Sequence, residues 1–165
     1  IEQPLTRLTH FTNDMLSRGI VPGARVVSMN VVPAGPHVAS RLRIDPEEEV
    51  LELIRVRTAD GEPMALEHSC LVYRHTKAIF GMNMENASLY QTLEQVCGIK
   101  LTKATQTIEV AAARPEEAAL LGIGARDPVM KIERTTYAQN LDAPLEYVRS
   151  CYRADRYKFI IEMQV

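Results

Sequence analysis

The stretch LELIRVRTADGEPMALEHS, Leu51 to Ser69, decides how the chain is read. Apolar and polar residues alternate on both sides of Asp60-Gly61, a dipeptide suited to tight turns, so the stretch reads as a β-hairpin. A two-residue turn that pairs Ala59 with Glu62 would set Ile54 opposite Glu67 and Arg55 opposite Leu66. Charge and hydrocarbon would then mix on both faces, because residues directly opposite share a face. A three-residue loop with a bulge moves the pairing by one and sorts the two kinds. Ile54 and Val56 then lie with Met64, Leu66, Cys70 and Val72, while Arg55, Arg57, Glu67 and Ser69 collect on the other face. Glycine accepts the left-handed conformation that such a bulge needs.

In this register Arg55 and Arg57 lie about 7 Å apart along one strand, with Arg55 directly across from Glu67. Guanidinium groups match phosphate oxygens in paired hydrogen bonds, so the face can hold a dianion beside a hydroxyl or amine. The same residues also fit an exposed cross-strand Arg-Glu pair worth less than ~1 kcal/mol, and the hairpin alone does not separate the two.

Outward from the hairpin, the chain repeats itself. Ala39, Leu42, Ile44, Val50 and Arg55 recur as Ala118, Leu121, Ile123, Val129 and Arg134, displaced by 134 − 55 = 79 positions. Each copy leads into a hairpin with a proline, Pro63 or Pro144. This is a duplicated unit of short helix, strand, turn and strand, and not a solenoid, which needs at least three copies. Arg134 repeats Arg55 and so also admits a structural role for both arginines; Arg57 has Thr136 as its counterpart. Further elements complete an α+β pattern with one antiparallel sheet flanked by helices. A short helix is capped by Thr9 or Thr12 and ends at Gly19, a strand covers Arg25 to Val32, and a helix covers His37 to Leu42. Asn86 or Ser88 caps a helix that runs to about Gly98; a strand spans Thr102 to Ala113, and Pro115 opens another helix. Strands at Val129 to Ala138 and Pro144 to Arg153 close the chain. Glu146, Ser150 and Tyr152 share a face there by the two-residue period, which suits either a pocket wall or a solvated face.

The 165 residues fit one domain with a real core. Hydrophobic content of 46% and charged content of 24% are ordinary for a globular protein, and no apolar run reaches the length of a membrane helix. A formal net charge of −2, with the two signs interspersed, argues against a nucleic-acid grip by this stretch itself. Cys70, Cys97 and Cys151 show no C-x-x-C spacing, and His10, His37, His68 and His75 are scattered, so neither disulfide framework nor metal site is expected, and a reducing cytoplasm fits. The chain begins at Ile1 without an initiator methionine or an apolar leader, which reads as part of a longer protein with no export signal.

These residues, with HFTNDMLSRG (His10 to Gly19), SLYQTLEQVCGI (Ser88 to Ile99), KIERTTY (Lys131 to Tyr137) and APLEYVRSCYRADRYKF (Ala143 to Phe159), resemble the effector-sensing UTRA domain of HutC-type regulators in the GntR family. The resemblance runs from Leu5 to Glu162. It implies a chorismate-lyase-like fold that serves as a ligand receptor and not an enzyme, without cofactor, in a cytoplasmic homodimer. It also implies an upstream winged helix-turn-helix domain that binds operator DNA and is absent from residues 1–165. Regulators of this type that sense phosphorylated amino sugars look most similar. By that resemblance Arg55, Arg57, Ser88, Tyr90 and the Phe11-Thr12 helix start would bind a 6-phosphate. Glu67, Glu146 and Tyr152 would meet the sugar hydroxyls and the amino or acetamido group. Other members recognise urocanate, phosphonates, fatty acids or other sugar phosphates, and the related lyase fold hosts chemistry, so another anion or a lyase-like reaction are the alternatives. Arg57→Ala is expected to weaken an anionic ligand and to leave the unliganded fold nearly as stable.

Overall fold

A computed structural model describes residues 1–5 and 11–165. Six strands form one antiparallel sheet in the spatial order β2-β3-β4-β7-β6-β5. They are β2 (Pro22–Pro33), β3 (Glu49–Ala59), β4 (Glu62–Val72), β5 (Leu101–Ala112), β6 (Pro128–Ala138) and β7 (Glu146–Arg153). A small parallel pair, β1 (Glu2–Pro4) with β8 (Lys158–Ile160), brings the two ends of the chain together. The sequence reading did not anticipate it, because three-residue strands carry no usable period. Nor did it anticipate the short helix α3 (Tyr73–Thr76) and the 3₁₀ turn after it, Lys77–Ile79.

The duplication is visible in the strand order. Helix α2 (Gly35–Leu42) joins β2 to β3, and α5 (Pro115–Leu121) joins β5 to β6, so each copy supplies three consecutive strands and the copies meet at the β4–β7 seam. The helices cross that seam. Val38 and Leu42 of α2 pack with Tyr147 of β7, whereas Ala118 and Leu121 of α5 pack with Leu66 of β4. Each half therefore covers the other's central strand.

Local sequence sets the helix limits. In α5, Pro115 occupies the first turn, where its missing N–H costs nothing, Glu117 accepts from the Arg114 backbone N–H at 3.0 Å, and Gly122 ends the helix with φ +67°. Helix α4 (Leu89–Cys97) is capped by Ser88, whose hydroxyl accepts from the Gln91 N–H at 3.4 Å, and ends at Gly98. Asn86 does not cap it; its side-chain oxygen accepts from the Ala24 N–H of β2 at 3.0 Å. Helix α1 spans Phe11–Leu16. Thr12 is thus inside that helix and not its cap, and the alternative cap Thr9, like His10, lies outside the described residues.

The hairpin corrects the sequence reading in one respect. Arg55 pairs with Glu67 and Val56 with Leu66, as the sorting of faces demanded, but the turn is the two-residue Asp60-Gly61 after all, closing Ala59 against Glu62. Both turn residues have positive φ, +50° and +80°, the geometry whose twist matches a hairpin. The register changes between Arg57 and Thr58, where Met64 is the extra residue. Because Met64 is that bulge, it leaves the Leu66, Cys70 and Val72 face and packs with Ala59, Ala65, Phe11 and Met15.

Both faces of the sheet are covered. Opposite α2 and α5, the residues Leu51, Leu53 and Leu71 pack with Leu89 and Leu93 of α4 and with Ile79, Met84 and Leu145. Arg55 and Arg57 continue the same strand face and are only 2% and 6% exposed. They are not on an open polar surface, which is the first structural fact bearing on what they do.

Candidate functional site

Side chains on this face form rows across the sheet, because directly paired residues share a face. One row is Arg55, Glu67, Ser150 and Ile132; the next is Leu53, Ser69, Val148 and Arg134. Arg57, Ala65, Tyr152 and Met130 form a third, and Leu51, Leu71, Glu146 and Thr136 a fourth. With α4 and α1 above them, these rows floor a cavity that encloses about 630 Å³ including its open mouth.

Each residue picked out from the sequence lines this cavity: Phe11, Thr12, Arg55, Arg57, Glu67, Ser88, Tyr90, Glu146 and Tyr152. Arg57 is held from four sides. Its Nε donates to the Gly23 carbonyl at 3.4 Å, Nη1 to Glu67 Oε2 at 3.3 Å and Nη2 to Thr12 Oγ1 at 3.2 Å, while the guanidinium lies 4.5 Å from the centre of the Phe11 ring. Arg55 Nη1 donates to the carbonyls of Met84 at 3.2 Å and Ala87 at 2.7 Å, in the connection that leads into α4. Burial, and after it the neighbouring Arg57 charge, lowers the Arg55 pKa to about 10, so Arg55 remains charged at neutral pH and the two guanidinium groups repel each other. A buried dianion relieves that repulsion.

The opposite end of the cavity is built around Glu146, which is 1% exposed. Its Oε1 accepts from the Tyr90 hydroxyl at 3.0 Å and from Thr136 Oγ1 at 3.4 Å. Burial pushes the carboxyl up to about 7 against the pull of Tyr90 and Arg134, so it exchanges its proton near neutrality. Arg134 Nε donates to Gln106 Oε1 at 3.0 Å, and its Nη1 reaches the Tyr90 hydroxyl at 3.5 Å. The Tyr90 hydroxyl therefore stands with Glu146 and Arg134, at the end away from Arg57. Tyr152 stacks edge-on against Tyr157, ring centres 4.8 Å apart, and walls the Arg57 end.

Arg134 is the lining residue that the sequence reading left ambiguous. The signal was present in the two-residue period Ile132, Arg134, Thr136, which puts it on the same face as the first-copy arginine. Leu89, Val148 and Phe159 also wall the cavity and had no signal, since apolar residues at these spacings are ordinary core. Among the described lining residues there is neither histidine nor cysteine, and so no Ser-His or Cys-His pair for nucleophilic catalysis.

The expectation that histidine and cysteine are scattered needs a correction. Pairing of β3 with β4 brings the potential ligand atoms of Glu52, His68 and Cys70 within 4.8 Å of one another on the far face of the sheet. His68 Nε2 bonds Glu52 Oε2 at 2.9 Å, and Arg149 Nη2 lies 3.3 Å from His68 Nδ1. Arg149 can only donate, which puts the imidazole proton on Nε2, and its charge opposes a cation there. Glu52, His68 and Arg149 form a polar contact between strands, and the buried Cys70 beside them packs with apolar neighbours.

Comparison with known proteins agrees with this architecture. Residues 17–158 match the UTRA domain family. The chain is 37% identical over 160 residues to the HTH-type transcriptional repressor NagR of Bacillus subtilis, covering 97% of this chain and 65% of that protein. It is 34% identical to the HTH-type transcriptional repressor PhnF of Mycolicibacterium smegmatis over 163 residues, 99% of this chain and 66% of that protein. The chain thus spans slightly less than two thirds of these relatives. The crystal structure of the PhnF effector domain from Mycobacterium smegmatis superposes with a TM-score of 0.92 at 33% identity, covering 100% of both chains. The expected fold, an antiparallel sheet with flanking helices in the chorismate-lyase-like arrangement, is the observed one. A matched family over most of the sequence and a shared fold over all of it lead to one conclusion: the chain belongs to the UTRA family, the effector-binding domains of GntR-family transcription regulators.

Proposed function

We propose that this chain senses an amino-sugar 6-phosphate and passes its occupancy to a winged helix-turn-helix domain that precedes it in the full-length regulator. The carrying observation is the buried pair Arg55 and Arg57 in a cavity that also contains Glu67 and Glu146. Two adjacent guanidinium groups that repel each other across a cavity favour a dianion, and a phosphomonoester supplies one with bidentate geometry. Ser88 and the first turn of α4 stand beside Arg55 and add the partial positive charge of a helix start. Glu67, Glu146 and Tyr152 are suited to hydroxyl and nitrogen groups of a sugar. Names of other relatives mention sugar-derived compounds, which supports a sugar-type effector in general: a mannosyl-D-glycerate transport/metabolism system repressor at 27% identity and a probable fructoselysine utilization operon repressor at 25%, both from Escherichia coli.

In this reading the chain turns nothing over, acts in the cytoplasm as a homodimer, and touches operator DNA only through the preceding domain. Edge strands β2 and β5 leave backbone groups that a second copy or another element can cover. Calorimetric titration with glucosamine 6-phosphate, N-acetylglucosamine 6-phosphate and the two unphosphorylated sugars tests the proposal. Saturable heat is expected from phosphorylated sugars alone, with each ligand recovered unchanged. Silence from all four with folded protein would remove amino-sugar phosphates and leave another anion as the effector.

A further inference from the structure

The duplication reaches into the cavity. Strand β6 follows β3 by 134 − 55 = 79 positions, while β7 follows β4 by 150 − 69 = 81, the two additional residues belonging to the second hairpin's longer connection. His68 and Arg149, also separated by 149 − 68 = 81, pair directly across the seam, so a pseudo-two-fold axis passes between them. About this axis Arg55 with Ser69 corresponds to Arg134 with Ser150, and all four line the cavity.

Both halves keep cavity-facing donors unspent: Arg55, like Arg134, donates only twice, and Ser69, like Ser150, makes no side-chain hydrogen bond among the described residues, but the first pair lies where the proposed phosphate would take up its donors. Arg55 is anchored by backbone carbonyls at the phosphate end. Arg134 uses one N–H on Gln106 and one, at long range, on Tyr90, out of the five that a guanidinium offers. The Ser150 hydroxyl, on the strand next to Arg134, makes no hydrogen bond among the described residues although the residue is 9% exposed. Donors that face a cavity and are left unspent mark a place for an acceptor.

Charge decides which acceptor. Arg55, Arg57 and Arg134 face Glu67 and Glu146 across the cavity. A phosphate dianion bound at Arg55 and Arg57 already offsets the cationic excess, so a second anion would add unbalanced negative charge to a buried site. An uncharged oxygen fits. Glu146 Oε1, the nearest carboxylate oxygen to Tyr90, is already capped by the Tyr90 and Thr136 hydroxyls.

We propose that Arg134 and Ser150 form a second subsite of the cavity, which donates hydrogen bonds to a neutral carbonyl oxygen of the effector, so that an N-acyl group is read there while Arg55 and Arg57 hold the phosphate. The inference rests on the sugar-phosphate reading and adds to it a choice: the acylated amino sugar over the free amine. Calorimetry of wild type, Ser150→Ala and Arg134→Met with N-acetylglucosamine 6-phosphate and glucosamine 6-phosphate tests it, with near-ultraviolet dichroism as the check of folding. Wild type is expected to prefer the acetylated ligand; that preference falls about tenfold in Ser150→Ala and further in Arg134→Met. Equal losses for both ligands, a preference unaltered in the variants, or a wild type that favours the free amine would each overturn the subsite. A wild type that binds neither ligand would overturn the sugar-phosphate reading, and the subsite with it.

Discussion

Arg57 ties three elements together at the place where the proposed ligand would bind. Its guanidinium bridges Thr12 of α1, Glu67 of β4 and the Gly23 carbonyl of β2, and lies over Phe11. Removing it strands the Glu67 carboxylate, whose side chain is 16% exposed, and in the proposed reading also withdraws a contact to the phosphate. Arg57→Ala is therefore expected to reduce phosphorylated-ligand binding by about 2–5 kcal/mol in calorimetry. The structure also reverses the expectation that the unliganded fold is indifferent, because a half-buried partner is left unpaired; the urea midpoint of the variant should fall without ligand. Glu146 makes a prediction of opposite character. The unfolded carboxyl ionises near 4.5, but the folded one holds its proton to about 7. Stability thus declines as pH rises from 4.5 to 7 and is level above, a loss on the order of 3 kcal/mol. Glu146→Gln should abolish this decline. Denaturation at pH 5 and pH 8 checks it: the variant gains relative to wild type at the higher pH.

At the scale of elements, α5 and the hairpin carry the clearest tests. Glu117 is buried in the first turn of α5, and burial pushes its carboxyl up, but Lys131, the Arg114 backbone N–H and the Arg114 guanidinium outweigh that and hold it at about 2. The sign is that of a depressed carboxyl: its stabilisation is full above the unfolded value of 4.5 and is lost as pH falls towards 2. Glu117→Gln should lower stability at pH 7 by an amount on the order of 3 kcal/mol, and should differ far less from wild type near pH 2. At the hairpin, Gly61 has φ +80° in a two-residue turn. Gly61→Val is expected to destabilise by roughly 1–2 kcal/mol, read from the thermal midpoint, because a β-branched residue is disfavoured in the left-handed region. Existence and type of the long elements were legible in the chain from period and punctuation. The bulge position was not. Asp60-Gly61 signalled a tight turn and the sorting of faces signalled a shifted register, and only pairing across the whole ladder reconciles the two by placing the extra residue at Met64.

On the scale of the whole molecule, two halves meet along the β4–β7 seam, and both line the cavity there. Residues 55 and 57 come from one copy, 134, 146, 150 and 152 from the other, and α1 and α4 close the site above them. A ligand that bridges these parts binds only the assembled fold, so it should stabilise the domain by mass action, about 2.7 kcal/mol at a hundredfold excess over Kd. A thermal scan with N-acetylglucosamine 6-phosphate should show this rise in midpoint, and Arg57→Ala should remove it. By itself, the order of residues determined the hairpin, the duplicated unit and the arginine-bearing face, because periodicity, turn chemistry and repetition are local and survive in a linear string. Tertiary structure decided what that face meets. Whether Arg55 and Arg57 look into water or into a cavity depends on α4 and on strands far away in the chain. The second copy's Arg134 becomes a cavity residue only because antiparallel pairing of β4 with β7 places the two halves side by side. Burial is a property of that non-local packing, and burial is what puts a pair of strand arginines inside a cavity, where the proposed anion would meet them, and lifts the Glu146 carboxyl to about 7.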